Sequence, residues 1–168
     1  MSTSSIRFIS GTSSLGVLLL AFSAEGLCAL LIGDDLATLE RDLSRRFPGQ
    51  QAPQRDEGLM PALEQTLRHL EDPRSALDFP LDLTGSVFQR RVWDALRQIP
   101  VGGTASYLDI ARQLGQPTAF RAVANACGAN PLAVIVPCHR VLRQDGSLGG
   151  YRWGLERKRQ LLEREAQR

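Results

Sequence analysis

Three short apolar runs near the start of the chain constrain its fold most strongly. They are "IRFIS", "GVLLLAFS" and "GLCALLIG", and the turn-forming stretches "GTSS" and "AEG" separate them. Short β-prone runs with tight turns between them are typical of an antiparallel meander. The sequence therefore predicts that the fold begins with an antiparallel sheet.

Helices are predicted to follow this sheet. "DDLATLERDLSRRF" has Asp34 or Asp35 as a possible N-cap, and its apolar residues recur at helical spacing. The polar connector "PGQQAPQRDEG" leads to a second amphipathic helix in "LMPALEQTLRHLEDP", and "ALDFPLDLTG" is an extended segment. We expect residues 1–84 to form an α/β domain.

The second half of the chain has a mainly helical pattern. "SVFQRRVWDALRQIPVG" is predicted to be a helix capped by Ser86, with an apolar face formed by Val87, Val92, Leu96 and Ile99. "SYLDIARQLGQPTAFRAVANACGANP" contains two more helices, the second from Pro117 to Cys127, and the break at 114–117 has the length of a helix-turn-helix connection. "GLERKRQLLEREAQR" is a charged terminal helix. Residues 85–168 are therefore predicted to be a mainly α domain.

Charge divides the chain at the same place. Residues 1–84 hold 7 basic and 12 acidic residues, a net charge of −5, whereas residues 85–168 hold 13 and 6, a net charge of +7. Lys158 is the only lysine, so nearly every basic residue is arginine. An arginine-rich half is typical of a protein that binds a phosphate backbone, although an uneven solvated surface would look the same.

Membrane, disulfide and cofactor classes are disfavoured by the sequence. The longest apolar run, "GVLLLAF", is too short to span a bilayer, and no stretch resembles a secretory signal. Three cysteines without a C-x-x-C pair, and only two histidines, are a poor supply for a disulfide framework or a metal site. There is no G-x-G-x-x-G fingerprint. We expect a soluble, cytoplasmic protein with no cofactor and no metal.

Cys138 in "LAVIVPCHRV" is the strongest candidate for a reactive residue. The apolar run predicts a buried strand, and Pro137 cannot donate to a sheet, so the strand should end just before the thiol. His139 and Arg140 would supply a base and a cation that favour the thiolate, and Asn130 could aim its amide at the same place. The alternative is an inert buried thiol, as we expect for Cys28 and Cys127. The base needs a carboxylate partner, and the residues alone leave Glu156, Glu163 and Glu165 open.

Taken together, these motifs resemble those of the O6-alkylguanine-DNA alkyltransferases. The motifs are "PCHRV", "SY" ending 31 residues before the cysteine, "RAVANACGANP", "GYRWG" and "RKRQLLEREA". The similarity covers residues 85–166 and extends more loosely to "LGVLLLAFSAEGLCALLIGDD". It implies a ribonuclease-H-like first domain, a helix-turn-helix in the second, and irreversible transfer of one alkyl group from the O6 atom of guanine to the cysteine.

The resemblance also implies roles for the residues around the thiol. Cys138 would be the nucleophile, and His139 would accept its proton through a bound water. Glu165 would hold the imidazole, and Asn130 would be the amide beside the thiol. Tyr107 would hydrogen-bond the guanine ring nitrogen N3 and relieve the charge that develops on the guanine as its O6 atom loses the alkyl group.

A second set of residues is implied for DNA. Arg121 would fill the space left by a base rotated out of the helix, and alanines on its helix would let the backbone approach a narrow minor groove. Gln116 and Gln144 would touch phosphates or the base, and Tyr151 and Gly149 would wall the base pocket. The expected partner is double-stranded DNA containing O6-alkylguanine, with O4-methylthymine as a further possible substrate, bound by a monomer.

Other functions stay open at this stage. A lesion-sensing DNA-binding protein would leave Cys138 unmodified, and a cysteine hydrolase built on Cys138 and His139 would need an oxyanion hole, for which the sequence shows no motif. Long bacterial Ada proteins of the same family also carry a zinc module. No cysteine quartet precedes Cys28, so we expect either a stand-alone repair protein or the C-terminal domain of a longer one.

Overall fold

The computed structural model describes residues 5–48 and 52–167. Within it the chain divides into two compact units, Met1–Leu83 and Thr84–Arg168. No helix within the described residues is long and apolar enough to cross a membrane.

A mixed four-stranded sheet forms the centre of the first unit. Strands β1 (Arg7–Ser13), β2 (Gly16–Ser23) and β3 (Gly26–Gly33) pair antiparallel in sequence order, which confirms the predicted meander. A short strand, β4 (Gln54–Arg55), pairs parallel with β1, so the sheet order is β3-β2-β1-β4. The sequence predicted only a connector at this point, because two exposed polar residues carry no apolar alternation.

Two helices complete the first unit. α1 (Leu36–Arg46) is capped by Asp35, whose Oδ1 accepts a hydrogen bond from the Thr38 amide at 2.8 Å. α2 (Met60–Glu71) follows a single 3-10 turn at Glu57–Leu59. Leucines of both helices are buried, and β3 is buried along almost its whole length, so the apolar core lies at the sheet.

Four helices form most of the second unit. They are α3 (Val87–Arg97), α4 (Tyr107–Gln113), α5 (Phe120–Gly128) and α6 (Leu155–Ala166). Ser86 caps α3 as predicted, and Trp93 lies in the core, where its indole nitrogen donates to the Ala126 carbonyl at 2.9 Å. Val87 was predicted on the apolar face but is 68% exposed. Successive residues of a helix point about 100° apart, so Val87 faces away from the buried residues Val92, Trp93, Ala95 and Leu96.

The connection between α4 and α5 is longer than predicted. α5 begins at Phe120 instead of Pro117, so residues 114–119 join the two helices. Gly115 has a positive φ of 74°, which ends α4. Short strands β5 (Ala105–Ser106) and β6 (Val141–Leu142) pair parallel, and they tie the start of α4 to the segment after Cys138.

The predicted buried strand before Cys138 is wrong. Residues 131–136 form turns and bends with a single bridge residue, Leu132, and are buried except for the half-buried Ile135, and Cys138–Arg140 form a 3-10 turn. Asn130 explains the difference, because its Oδ1 accepts from the Leu132 amide and its Nδ2 donates to the Val136 carbonyl, each at 2.8 Å. Val134 has a positive φ of 71°. The side chain of Asn130 therefore satisfies backbone groups that a strand would have paired with a neighbour.

Candidate active site

The Cys138 thiol lies at one wall of a small cavity. The residue is 3% exposed, and the cavity has a volume of about 160 Å³. Asn130, which is fully buried, places its Nδ2 atom 3.3 Å from the sulfur. The turn that replaces the expected strand thus holds an amide donor beside the thiol, where the sequence placed it.

Burial dominates the electrostatics of this thiol. It raises the pKa of Cys138 to about 11, although the Asn130 hydrogen bond and the charges of Lys158 and Arg152 act to lower it. The thiol is therefore protonated at neutral pH. The prediction that Arg140 is the cation favouring the thiolate is wrong, because its guanidinium binds Glu165 at 2.8 and 2.9 Å and donates to the Ile99 carbonyl at 2.7 Å.

His139, Glu165 and Arg140 form a buried network next to the cysteine. The imidazole Nε2 lies 2.7 Å from the Glu165 carboxylate, and both side chains are almost fully buried. Burial opposes the charge of Glu165, but hydrogen bonds from His139 and Arg140 outweigh burial and hold its pKa at about 2. Burial lowers the pKa of His139 despite Glu165. The network at neutral pH is therefore a neutral imidazole held by a carboxylate.

The other imidazole nitrogen points away from this carboxylate. Nδ1 of His139 is buried and has no hydrogen-bond partner among the described residues. Of the three glutamates left open by the sequence, Glu165 bonds to the imidazole, whereas Glu156 and Glu163 are exposed and pair with Arg159.

Lys158 is a site residue that the sequence analysis missed. It is fully buried, and its Nζ donates to the carbonyls of Val141 at 2.7 Å, Gly150 at 3.1 Å and Leu148. Burial lowers its pKa. It fastens the loop over 141–150 to α6 and places a positive charge near the Cys138 thiol. Its only signal in the sequence was that it is the single lysine of an arginine-rich chain.

Two tyrosines line the same small cavity. Tyr107 is the first residue of α4, and burial raises its pKa to about 12. Tyr151 packs edge-on against Trp153 at 5.4 Å, and burial raises its pKa as well. Its buried hydroxyl lacks a hydrogen-bond partner in the described part of the chain. Both hydroxyls are protonated at neutral pH and can act as donors.

Gly149 lies against one of these tyrosines. Its φ of +70° is in the left-handed region, and a Cβ there would come within 3.1 Å of the Tyr107 hydroxyl. Both the backbone conformation and the close approach of the loop therefore favour glycine at this position.

A larger cavity adjoins the small one. It has a volume of about 620 Å³, and Tyr107, Ala124 and Gly150 line both cavities. The predicted DNA residues Arg121 and Gln144 line the larger cavity. Gln116 is not among its lining residues and lies exposed in the α4–α5 connection. Phe120 and Arg143 also line it, and neither was predicted as a site residue.

No cluster of metal-ligating side chains occurs within residues 5–48 and 52–167: no three His, Cys, Asp or Glu residues come together as a metal site would need.

Comparison with known proteins identifies the class. Residues 87–167 match the family model for the DNA-binding domain of 6-O-methylguanine DNA methyltransferase. The inducible methylated-DNA–protein-cysteine methyltransferase of Bacillus subtilis is 46% identical over 121 residues, which are 72% of this chain and 68% of that protein. The chain therefore belongs to the methylated-DNA–protein-cysteine methyltransferase family.

Two further relatives resemble almost the whole chain. The bifunctional transcriptional activator/DNA repair enzyme Ada of Escherichia coli is 47% identical over 162 residues, 96% of this chain, but the match spans only 46% of Ada. The chain thus covers slightly less than half of that relative. The crystal structure of Mycobacterium tuberculosis OGT in complex with DNA has a TM-score of 0.79 and 40% identity, and the match covers 96% of this chain and 92% of that one.

Proposed function

We propose that this chain repairs DNA by moving the alkyl group from the O6 atom of an alkylated guanine to the sulfur of Cys138. The observation that carries this proposal is the position of the Cys138 thiol, which lies in a small cavity beside a neutral imidazole–carboxylate pair. The family supports it, since the B. subtilis relative is named as a methylated-DNA–protein-cysteine methyltransferase.

In the proposed reaction a sulfur–carbon bond forms as the carbon–O6 bond breaks. The thiol proton passes to His139, and the electron pair of the broken bond stays on the guanine. The Tyr107 hydroxyl, a donor in the cavity wall, hydrogen-bonds the guanine N3 and relieves that charge. The product is a thioether, which offers no carbonyl for water to attack, so the thiol is not regenerated and each molecule reacts once.

His139 is the proposed general base. A thiol with a pKa of about 11 is almost entirely protonated at pH 7 and must lose its proton during the reaction. Nδ1 of His139 would accept this proton through a bridging water, and the bond from Nε2 to Glu165 would stabilise the resulting imidazolium. Asn130 would orient the sulfur and stabilise negative charge on it.

Base flipping would bring the damaged guanine to the thiol. In this proposal α4 and α5 act as a helix-turn-helix, and the alanines of α5 allow close approach to the minor groove. Arg121 would occupy the space of the extruded base, whose release costs a few kcal/mol. Gln116 and Gln144 would contact phosphates or the base. Tyr151 and Gly149 would wall the pocket that receives the guanine.

The two parts of the chain would divide these tasks. Residues 85–168 would carry both DNA binding and the methyl acceptor. Residues 1–84 would form a ribonuclease-H-like domain that supports them, since the described part of the first unit shows no comparable cluster around a cysteine. The partner would be double-stranded DNA bound by one monomer, with O4-methylthymine as a second possible substrate.

Intact-mass measurement tests this proposal. After incubation with a duplex containing O6-methylguanine, the wild-type chain should gain the mass of one methylene group, and peptide mapping should place it on Cys138. Cys138→Ala should gain nothing and still bind the duplex. Cys28→Ala, which removes a buried thiol of the first unit, is the matched control and should gain the same mass as wild type.

The high pKa of Cys138 supports one competing function, a lesion sensor with an unreactive thiol. Tight binding of the wild-type chain to the damaged duplex with no gain in mass would establish that function and overturn ours.

A further inference from the structure

Phe120 is an exposed aromatic residue at the edge of the larger cavity. It is the first residue of α5, it is 44% exposed, and it lines the cavity of about 620 Å³ beside Arg121. Single exposed apolar residues are common on protein surfaces, so exposure alone assigns no role. What distinguishes Phe120 is its surroundings.

Those surroundings are positively charged. Arg121 and Arg143 line the cavity with Phe120, and none of the described residues that line it is acidic. The half of the chain that contains the cavity carries a net charge of +7. An apolar ring in a cavity that two arginines also line is complementary to a nucleic acid, which offers phosphates to the arginines and base faces to the ring.

We propose that Phe120 is an apolar wedge that inserts between base pairs next to the extruded guanine. This inference rests on the proposed function and deepens it, because it assigns a second DNA residue beside Arg121. Apolar side chains such as Phe and Leu unstack base steps from the minor groove, and an aromatic ring replaces part of the stacking that is lost.

Phe120 and Arg121 divide the work between them. Neighbouring residues on a helix point about 100° apart, so the two side chains do not fill one gap. Arg121 can hydrogen-bond the orphaned base, which a phenyl ring cannot do. Phe120 can offset the free energy of unstacking without any hydrogen bond. Its helix suits this task, because its neighbours Ala119 and Ala122 are small.

A fluorescence experiment tests the wedge. A duplex carries O6-methylguanine with 2-aminopurine at the adjacent position, and the protein carries Cys138→Ala so that the lesion is not consumed. Phe120→Ala should weaken binding about tenfold and should reduce, also about tenfold, the rise in 2-aminopurine fluorescence that accompanies unstacking. Phe120→Leu should retain most of the binding and most of the fluorescence rise. Leu155→Ala is the matched control, because Leu155 is 50% exposed and lies outside the residues that line the cavity; it should behave as wild type.

Two further measurements separate a wedge from a packing or charge effect. With Cys138 intact, Phe120→Ala should slow transfer from the duplex but leave transfer from free O6-benzylguanine unchanged, since the free base needs no unstacking. Phe120→Ala should also keep the slope of log Kd against log salt concentration, whereas Arg143→Ala should reduce it by about one.

The proposed wedge role is overturned if Phe120→Ala unstacks the duplex as wild type does. It is also overturned if Phe120→Ala slows transfer from the free base as much as transfer from the duplex. It is also overturned if wild type dimerises and Phe120→Ala does not, since Phe120 would then cover a second copy. Failure of the proposed function would be a separate result. The fluorescence experiment uses Cys138→Ala, so it tests unstacking by Phe120 even if the wild-type chain transfers no methyl group.

Discussion

The burial of Cys138 determines how its proton can be removed. With its pKa raised to about 11 by burial, the thiol is almost entirely protonated at pH 7. A nucleophile in that state depends on a base that acts during the reaction. His139 suits this need, because burial keeps its imidazole neutral and Glu165 is placed to stabilise the charge that it would acquire.

The pH profile of His139→Gln tests this dependence. In the wild type, the rate of transfer from free O6-benzylguanine should be level above about pH 7 and fall as His139 becomes protonated below its lowered pKa. In the variant the rate at pH 7 should drop by about 100-fold or more. Above pH 7 the rate should rise about tenfold per pH unit, because the Cys138 thiol must lose its proton to the solvent instead of to His139. Single-turnover kinetics between pH 5 and pH 10 measure both profiles.

His69→Gln is the control, because it removes the other histidine of the chain, which bonds to the Ser75 carbonyl in the first unit. A level profile in His139→Gln would show that a different group accepts the proton.

At the residue scale, the motifs predicted which side chains lie together, and the roles of these side chains stay predictions. Asn130 and Glu165 lie where the resemblance placed them around Cys138 and His139. Lys158 was not predicted as a site residue, because a lysine in a charged helix is typical of a solvated face. The three carbonyls that accept its hydrogen bonds come together only in the folded loop. Arg140 was misassigned, because adjacency in sequence does not reveal that its guanidinium points to Glu165.

At the scale of elements, the start of α4 is what positions Tyr107. Ser106 and Asp109 form a capping box, in which Ser106 Oγ accepts from the Asp109 amide at 2.9 Å and Asp109 Oδ2 accepts from the Ser106 amide at 3.0 Å. Ser106 also pairs with Leu142 across β5 and β6. The cap thus fixes Tyr107 relative to the segment that follows Cys138.

Ser106→Ala should therefore impair both stability and transfer. Loss of the cap should lower the free energy of unfolding by about 1 kcal/mol, and loosening of Tyr107 should slow transfer. Ser86→Ala is a matched control, since Ser86 and Gln89 form the same box on α3 without a proposed site residue. It should cost similar stability and leave the transfer rate unchanged. Equal slowing in both variants would mean that stability alone, not the position of Tyr107, limits transfer.

Helices with caps and periodic leucines were predictable, and the segment before Cys138 was not. Its β-branched apolar residues favour a strand, yet the Asn130 amide supplies local partners for the backbone and the chain turns. A one-dimensional pattern records apolar burial but does not show whether the hydrogen bonds go to a neighbouring strand or to a side chain. The same limit hid β4, since its two polar residues pair only through the backbone.

On the scale of the whole molecule, the buried ionisable side chains of the described residues lie mainly in the second unit. Arg140, Lys158 and Glu165, together with His139, are buried there. Both tryptophans of the chain, Trp93 and Trp153, lie in the same unit and are buried, so their fluorescence reports its unfolding selectively.

The pKa shifts of this network make the second unit sensitive to acid. The pKa of Glu165 is lowered from 4.5 to about 2, so its stabilisation is present above pH 4.5 and is lost as the pH falls towards 2. The pKa of His139 is lowered from 6.5, so the unfolded chain gains a proton below pH 6.5 that the folded chain does not. Both groups therefore reduce stability as the pH falls.

Tryptophan-detected unfolding in urea at pH 7 and pH 4 should show this effect. The free energy of unfolding of the wild type should fall between the two by about 1 kcal/mol from Glu165, with a further loss from the proton that the unfolded chain gains at His139. Glu165→Gln should be less stable at pH 7, because Arg140 loses its buried counter-charge, and it should lose less on acidification. Glu163→Gln on the same helix, an exposed partner of Arg159, should keep the wild-type dependence. An unchanged pH dependence in Glu165→Gln would show that the Glu165 carboxylate does not contribute to acid stability, because the proton uptake would then occur at other groups.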